Sequence, residues 1–165
     1  LIIFFVIQSS IFNYYLLTNP EKANLPRGER SGYLEEWTAG QGIKEVSIYL
    51  REEDAKNPRK QMVVGTEGFF GTLPDGLQLY VNDLPNIIVK GVGVVIEDVP
   101  QSLKEAVEAG NKTYLVVNKS RFKGNPEKQG YKLIQSFHKA FRLSDSRQYK
   151  LYGPQEELLF FELTK

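Results

Sequence analysis

A chain of 165 residues with 41% hydrophobic content has room for one domain with a real core. Its net charge of +1, with both signs interspersed, leaves no basic footprint for nucleic acid. Cysteine is absent, which excludes disulfides and thiolate chemistry, and one histidine, His138, is a poor supply for a metal site.

The first residues, Leu1-Ile-Ile-Phe-Phe-Val-Ile7, open a run that stays largely apolar to Leu17. About seventeen helical residues reach roughly 26 Å, short of a bilayer core of about 30 Å. The run reads as the last part of a membrane-spanning helix of a longer protein, with residues 18–165 facing water. Gln8, Ser9, Ser10 and Asn13 are tolerable against neighbouring helices, and Tyr14 and Tyr15 lie where an aromatic belt meets headgroups. Asn19-Pro20 ends the helix. A signal peptide needs a basic start and a small-residue cleavage site, neither of which is visible. A buried N-terminal helix of a soluble protein is the other alternative. The charges after the run do not settle its orientation.

Residues 18–42 read as an irregular linker, because Asn-Pro, Leu-Pro, Arg-Gly, Ser-Gly and Ala-Gly-Gln-Gly follow in quick succession. Leu25, Tyr33, Leu34 and Trp37 are its apolar anchors, which argue that it packs on a surface. From Gly42 the period is helical, with Ile43, Val46, Tyr49 and Leu50 on one face, until Asn57-Pro58. Gln61–Gly65 predicts a short buried strand and Thr66–Gly71 a turn. Thr72 is placed as the cap of a second helix whose inner face is Leu73, Leu77, Tyr80 and Val81, with Pro74 in the first turn.

Asn86–Gly91 predicts a second strand, with Val94–Ile96 extending or following it. Leu103–Ala109 predicts a third helix closed by Gly110, and Lys112–Asn118 a third strand. This alternation predicts parallel strands with crossover helices. After a polar loop over 119–130, Leu133–Phe141 and Glu157–Leu163 read as an antiparallel pair. The fold class is therefore α/β: a small, mainly parallel, three-layer-like sheet over residues 43–165 with an antiparallel C-terminal hairpin.

The best local motif is Gly65-Thr-Glu-Gly68-Phe-Phe-Gly71, between a strand and a helix. Its spacing is G-x-x-G-x-x-G, Lys90-Gly91 stands where a dinucleotide site needs an acid, and Glu67 repels an anion, so a plain tight turn is the better reading. Glu67 at a strand's carboxyl end is either a ligand-facing residue or a solvated loop carboxylate. Glu97-Asp98 reads as a solvated turn. Ser136 and His138 share a strand face opposite Phe137, but no G-x-S-x-G elbow accompanies them. Asn111-Lys-Thr113 and Asn118-Lys-Ser120 match the glycosylation sequon.

Tyr14-Tyr-Leu-Leu-Thr-Asn-Pro-Glu-Lys-Ala23, Leu25-Pro26, Arg30, Tyr33, Trp37-Thr-Ala-Gly-Gln-Gly-Ile43 and Val63-Val-Gly-Thr-Glu-Gly-Phe-Phe-Gly-Thr-Leu-Pro74 carry a resemblance. The chain resembles the C-terminal part of bacterial polytopic glycosyltransferases of the GT-C class, which are similar to the dolichyl-phosphate-mannose protein mannosyltransferases. Thr38 stands where the family pattern has proline, and the tail after Gly124 carries little of the likeness. The resemblance implies transfer of a sugar from a polyprenyl-phosphate donor at a cell membrane, with residues 18–165 outside the cytoplasm. The implied catalytic acid lies in the first outer loop of such enzymes, outside this sequence, so no catalytic residue is assigned. The implied partners are the membrane, the other membrane helices of the parent protein, and a lipid-linked sugar or acceptor glycan, with no cofactor and no metal. Tyr33, Trp37, Glu67 and Gly68, in the recognisable segments, are the candidate ligand contacts. The alternative is a membrane-anchored, non-enzymatic α/β module that binds a glycan or a protein. A soluble nucleotide-binding domain is disfavoured by the missing acid.

Overall fold

The fold was taken from a computed structural model, which describes residues 2–164. Helix α1 (Ile2–Thr18) buries none of its residues, and Ile2 and Ile3 are 79% and 75% exposed. Among the described residues, no helix is long and apolar enough to cross a membrane.

The linker is more ordered than its Gly and Pro content predicts. It forms a 3-10 turn (Pro20–Lys22), a helical turn α2 (Arg27–Arg30) and a single π-helical turn (Ser31–Glu35). Arg30 draws its ends together, donating to the Glu21 carbonyl at 2.7 Å and to Glu35 Oε1 at 2.7 Å. Leu34, Glu35, Glu36 and Ala39 are buried against the domain.

Gly42, at φ 91°, turns the chain into α3 (Ile43–Lys56), whose Ile43, Val46 and Leu50 form a buried stripe. Strand β1 (Met62–Glu67) is buried along its whole length, as expected of a strand covered on both faces. Helix α4 (Thr72–Val81) is capped at Gly71, not Thr72; Asp75 Oδ2 accepts from the Gly71 N–H at 2.8 Å. Leu73, Leu77 and Val81 face inward, but Tyr80 is exposed and its carbonyl accepts from Arg51. Strand β2 (Ile87–Gly93), helix α5 (Gln101–Glu108) and strand β3 (Lys112–Asn118) follow as predicted, within two residues. Strand β4 (Tyr131–Phe141) and strand β5 (Gln155–Leu163) pair antiparallel. Between them lies α6 (Arg147–Tyr152), capped by Ser146, whose hydroxyl accepts from Tyr149 N at 2.9 Å. The sequence reading contains no helix there.

The strand order is β2-β1-β3-β5-β4: three parallel strands, then an antiparallel pair with the C-terminal strand inside the sheet. Helices α3 and α4 pack on one face, against Met62, Val64, Tyr114, Leu158 and Phe160. Helix α5 packs on the other, against Val63, Leu115, Val117 and Phe161. The result is the predicted three-layer α/β arrangement. Each fully buried aliphatic or aromatic side chain stabilises it by about 1.5–3 kcal/mol. The chain leaves β1 for β2 on one side, then crosses back to β3 on the other. The carboxyl ends of β1 and β3 therefore flank a topological switch point, where open α/β sheets bind their ligands.

Candidate functional site

Glu67 ends β1 and Asn118 ends β3 at this switch point. Glu67 is 3% exposed, so it is not the solvated loop carboxylate of the sequence reading; the strand runs two residues further than predicted and carries it inside. Its Oε2 accepts from the Asn118 backbone N–H at 2.7 Å and its Oε1 from Asn118 Nδ2 at 2.7 Å. The same Nδ2 donates to the Trp37 carbonyl at 3.2 Å. Burial raises the Glu67 pKa above the usual carboxylate range, opposed by both Asn118 donors and by the Arg121 charge, whose Nε lies 3.7 Å away. Asn118 is fully buried and both amide hydrogens have acceptors, so the second sequon does not present a glycan acceptor in the folded domain.

Arg121 also lies over the Trp37 ring, 3.8 Å from its centroid, and donates to the Val94 carbonyl at 3.3 Å. Beside it, Arg142 is buried between two carboxylates. It binds Glu36 through both oxygens, at 2.8 and 3.0 Å, and Glu156 Oε2 at 2.8 Å. Glu156 Oε1 accepts from the Ser120 N–H at 3.1 Å. Lys139, 2% exposed, donates to the carbonyls of Glu36 and Ala39 at 3.0 and 2.9 Å. Burial lowers its pKa to about 8, against the pull of Glu156, Glu67 and Glu36. Three carboxylates thus face three cations in one closed network.

Above the network opens a cleft of about 590 Å³. Val94 and Val95 line it just after β2, Ser120, Arg121 and Lys123 after β3, Trp37 from the linker, and Arg147, Leu151 and Tyr152 from α6. This volume suits a small organic ligand. The charged groups of the network are engaged with one another or with backbone carbonyls, and Asn118 Oδ1 is buried without a partner; among the described residues the cleft offers binding surface and no free nucleophile–base pair. Among the described residues, no cluster of His, Asp or Glu is arranged to hold a metal ion.

Of the residues singled out in the sequence, Trp37 lines the cleft and Glu67 lies in the network that supports it. Tyr33 and Gly68 are not in the lining. Tyr33 is exposed on the π-helical turn, and Gly68, at φ 73°, serves the turn after β1, its N–H donating to the Gly93 carbonyl at 2.7 Å. Only the first glycine of the motif is required sterically: a Cβ at Gly65 meets Leu103 Cδ1 at 2.8 Å, whereas Gly68 and Gly71 have room and are required by their positive φ; outside the motif, a Cβ at Gly91 meets Phe69 Cα at 2.7 Å. His138 is exposed, with Glu157 its acidic neighbour at 3.9 Å, and Glu97 and Asp98 are exposed.

Sequence reasoning missed Glu36, Asn118, Arg121, Lys139, Arg142 and Glu156. One signal was present: Glu156 shares strand parity with the buried Leu158 and Phe160, and Lys139 with the inward-facing Phe137. Comparison with known protein families, with curated proteins and with solved structures finds no match for this chain.

Proposed function

We propose that this chain is the extracytoplasmic domain, with the end of its membrane helix, of a glycosyltransferase that takes its sugar from a polyprenyl phosphate. In this reading the domain binds or positions and does no chemistry alone. The observation that carries it is α1. It is mostly apolar with its few polar residues gathered on no single face, buries none of its residues, and leads through a packed linker onto a finished α/β domain. Such a helix belongs among lipids or other helices, not in water. The recognisable segments support the same reading, because Trp37 from one of them lines the cleft and Glu67 from another supports it.

The test is the complete reading frame, expressed in membranes and assayed for transfer of a labelled sugar from a polyprenyl-phosphate donor. Expected are many further hydrophobic spans, an acidic residue in the first outer loop, and transfer that Trp37→Ala impairs. A frame with one hydrophobic span and no transfer sinks the enzyme reading and leaves a membrane-anchored binding module.

A further inference from the structure

The floor of the cleft is electrically closed, but its rim is not. Arg142 is matched by Glu36 and Glu156, and Arg121 stands beside Glu67. Lys123 and Arg147 have no acidic partner among the described residues; Asp145, two positions before Arg147, pairs with Arg27 at 3.8 Å. The one carboxylate in the lining, Glu36, is held through both oxygens by Arg142. Between these cations, Trp37, Val94, Val95, Leu151 and Tyr152 are each 45–59% exposed, an apolar and aromatic lining left to water.

We infer that this cleft is a binding site for an organic phosphate. The phosphate is met by Lys123 and Arg147, and the organic body lies along Trp37, Leu151 and Tyr152. Three independent features converge on it. Lys123 and Arg147, both in the lining and without an acidic partner among the described residues, select an anion, and phosphate oxygens take charge-assisted hydrogen bonds from both residue types. The aromatic and aliphatic wall selects against a bare inorganic ion. The position, at the carboxyl ends of parallel strands beside a switch point, is where such sheets place ligands. The site stands apart from the transferase reading; only the lipid among its two sources rests on that reading. The phosphate has two possible sources, the headgroup of a polyprenyl phosphate in a bilayer or a free sugar phosphate.

Trp37 is the only tryptophan of the chain, so its emission reports occupancy directly. The full chain in detergent micelles is titrated with glucose 1-phosphate, glucose, inorganic phosphate and, in a separate arm, micelles carrying undecaprenyl phosphate. A saturable change with glucose 1-phosphate or with the lipid is expected, and none with glucose. The double variant Lys123→Ala/Arg147→Ala, in exposed positions, is expected to weaken binding about tenfold or more with an unchanged melting temperature. Lipid bound at least about tenfold tighter than glucose 1-phosphate assigns the headgroup as the source, and the reverse assigns the free compound; either supports the site. No saturable change with either at millimolar concentration overturns the inference. So does an equal response to glucose or to inorganic phosphate, or unchanged binding in the double variant. These outcomes leave the transfer assay untouched, so the two readings fail separately.

Discussion

Asn118 ties β3, β1 and the linker together through its side chain. Its two amide hydrogens go to Glu67 and to the Trp37 carbonyl, and its backbone N–H to the other oxygen of Glu67. Aspartate has the same shape but no donor. Asn118→Asp sets a second carboxylate against Glu67, whose pKa burial already raises. Buried like charges at this range push at least one pKa up strongly. The expected cost is about 3–5 kcal/mol at neutral pH in urea unfolding, the range for breaking a buried charged contact. The sign of the pH dependence follows. Carboxyls with raised folded pKa values favour folding below the ordinary carboxylate pKa and lose that advantage as pH rises through the folded value. The variant's deficit therefore shrinks on acidification, as the pair comes to share a proton. A deficit independent of pH means that the carboxylates do not meet.

At the scale of elements, the middle of the chain was legible because its signals are local. Apolar runs of strand length, helical periods and Gly–Pro punctuation all lie within a few residues of what they specify. The linker and α6 were not, because short turns are held by distant groups: Glu36 meets Arg142 across 106 positions, and Lys139 reaches the Glu36 carbonyl across 103. No local pattern encodes such a pairing: parity with Phe137 turns Lys139 inward but does not name its partners. Trp37 and Glu67 could be picked out from their segments, but not the network that joins them. Lys139 makes the docking of the linker titratable. Burial lowers its folded pKa to about 8, below the ordinary value of 10.5, so the unfolded chain binds more protons between these two values. Stability therefore rises across that window, by up to about 3 kcal/mol from this group. Buried Tyr114 and Tyr131 act oppositely, because their raised pKa values favour folding only until the ordinary tyrosine range is passed. Urea unfolding from neutral pH to just below about pH 10 isolates the lysine. Wild type is expected to gain stability over that range, and Lys139→Met to be flat. Equal slopes in both proteins remove Lys139 as the cause.

At the scale of the molecule, two parts with opposite solvent preferences share one chain. The α/β domain closes its core on both faces of the sheet without any residue of α1. Helix α1 exposes Ile2, Ile3, Phe4, Phe5, Val6 and Ile7, each more than half accessible. Such a contiguous apolar surface is larger than soluble monomers ordinarily tolerate. The helix meets the domain through the 3-10 turn and the Arg30 clamp, so its removal leaves every core contact in place. Deleting residues 1–18 is therefore expected to shift the melting temperature by no more than about 2 °C, a change within the ordinary scatter of surface alterations. The same deletion is expected to change the solvent the protein needs. The full chain should float with neutral liposomes in a density gradient, whereas the shortened chain should stay in the aqueous fraction as a monomer. Loss of folding on deletion means that α1 packs on the domain in solution. A full chain that remains monomeric in water without detergent means that the helix is covered by some other part of the protein.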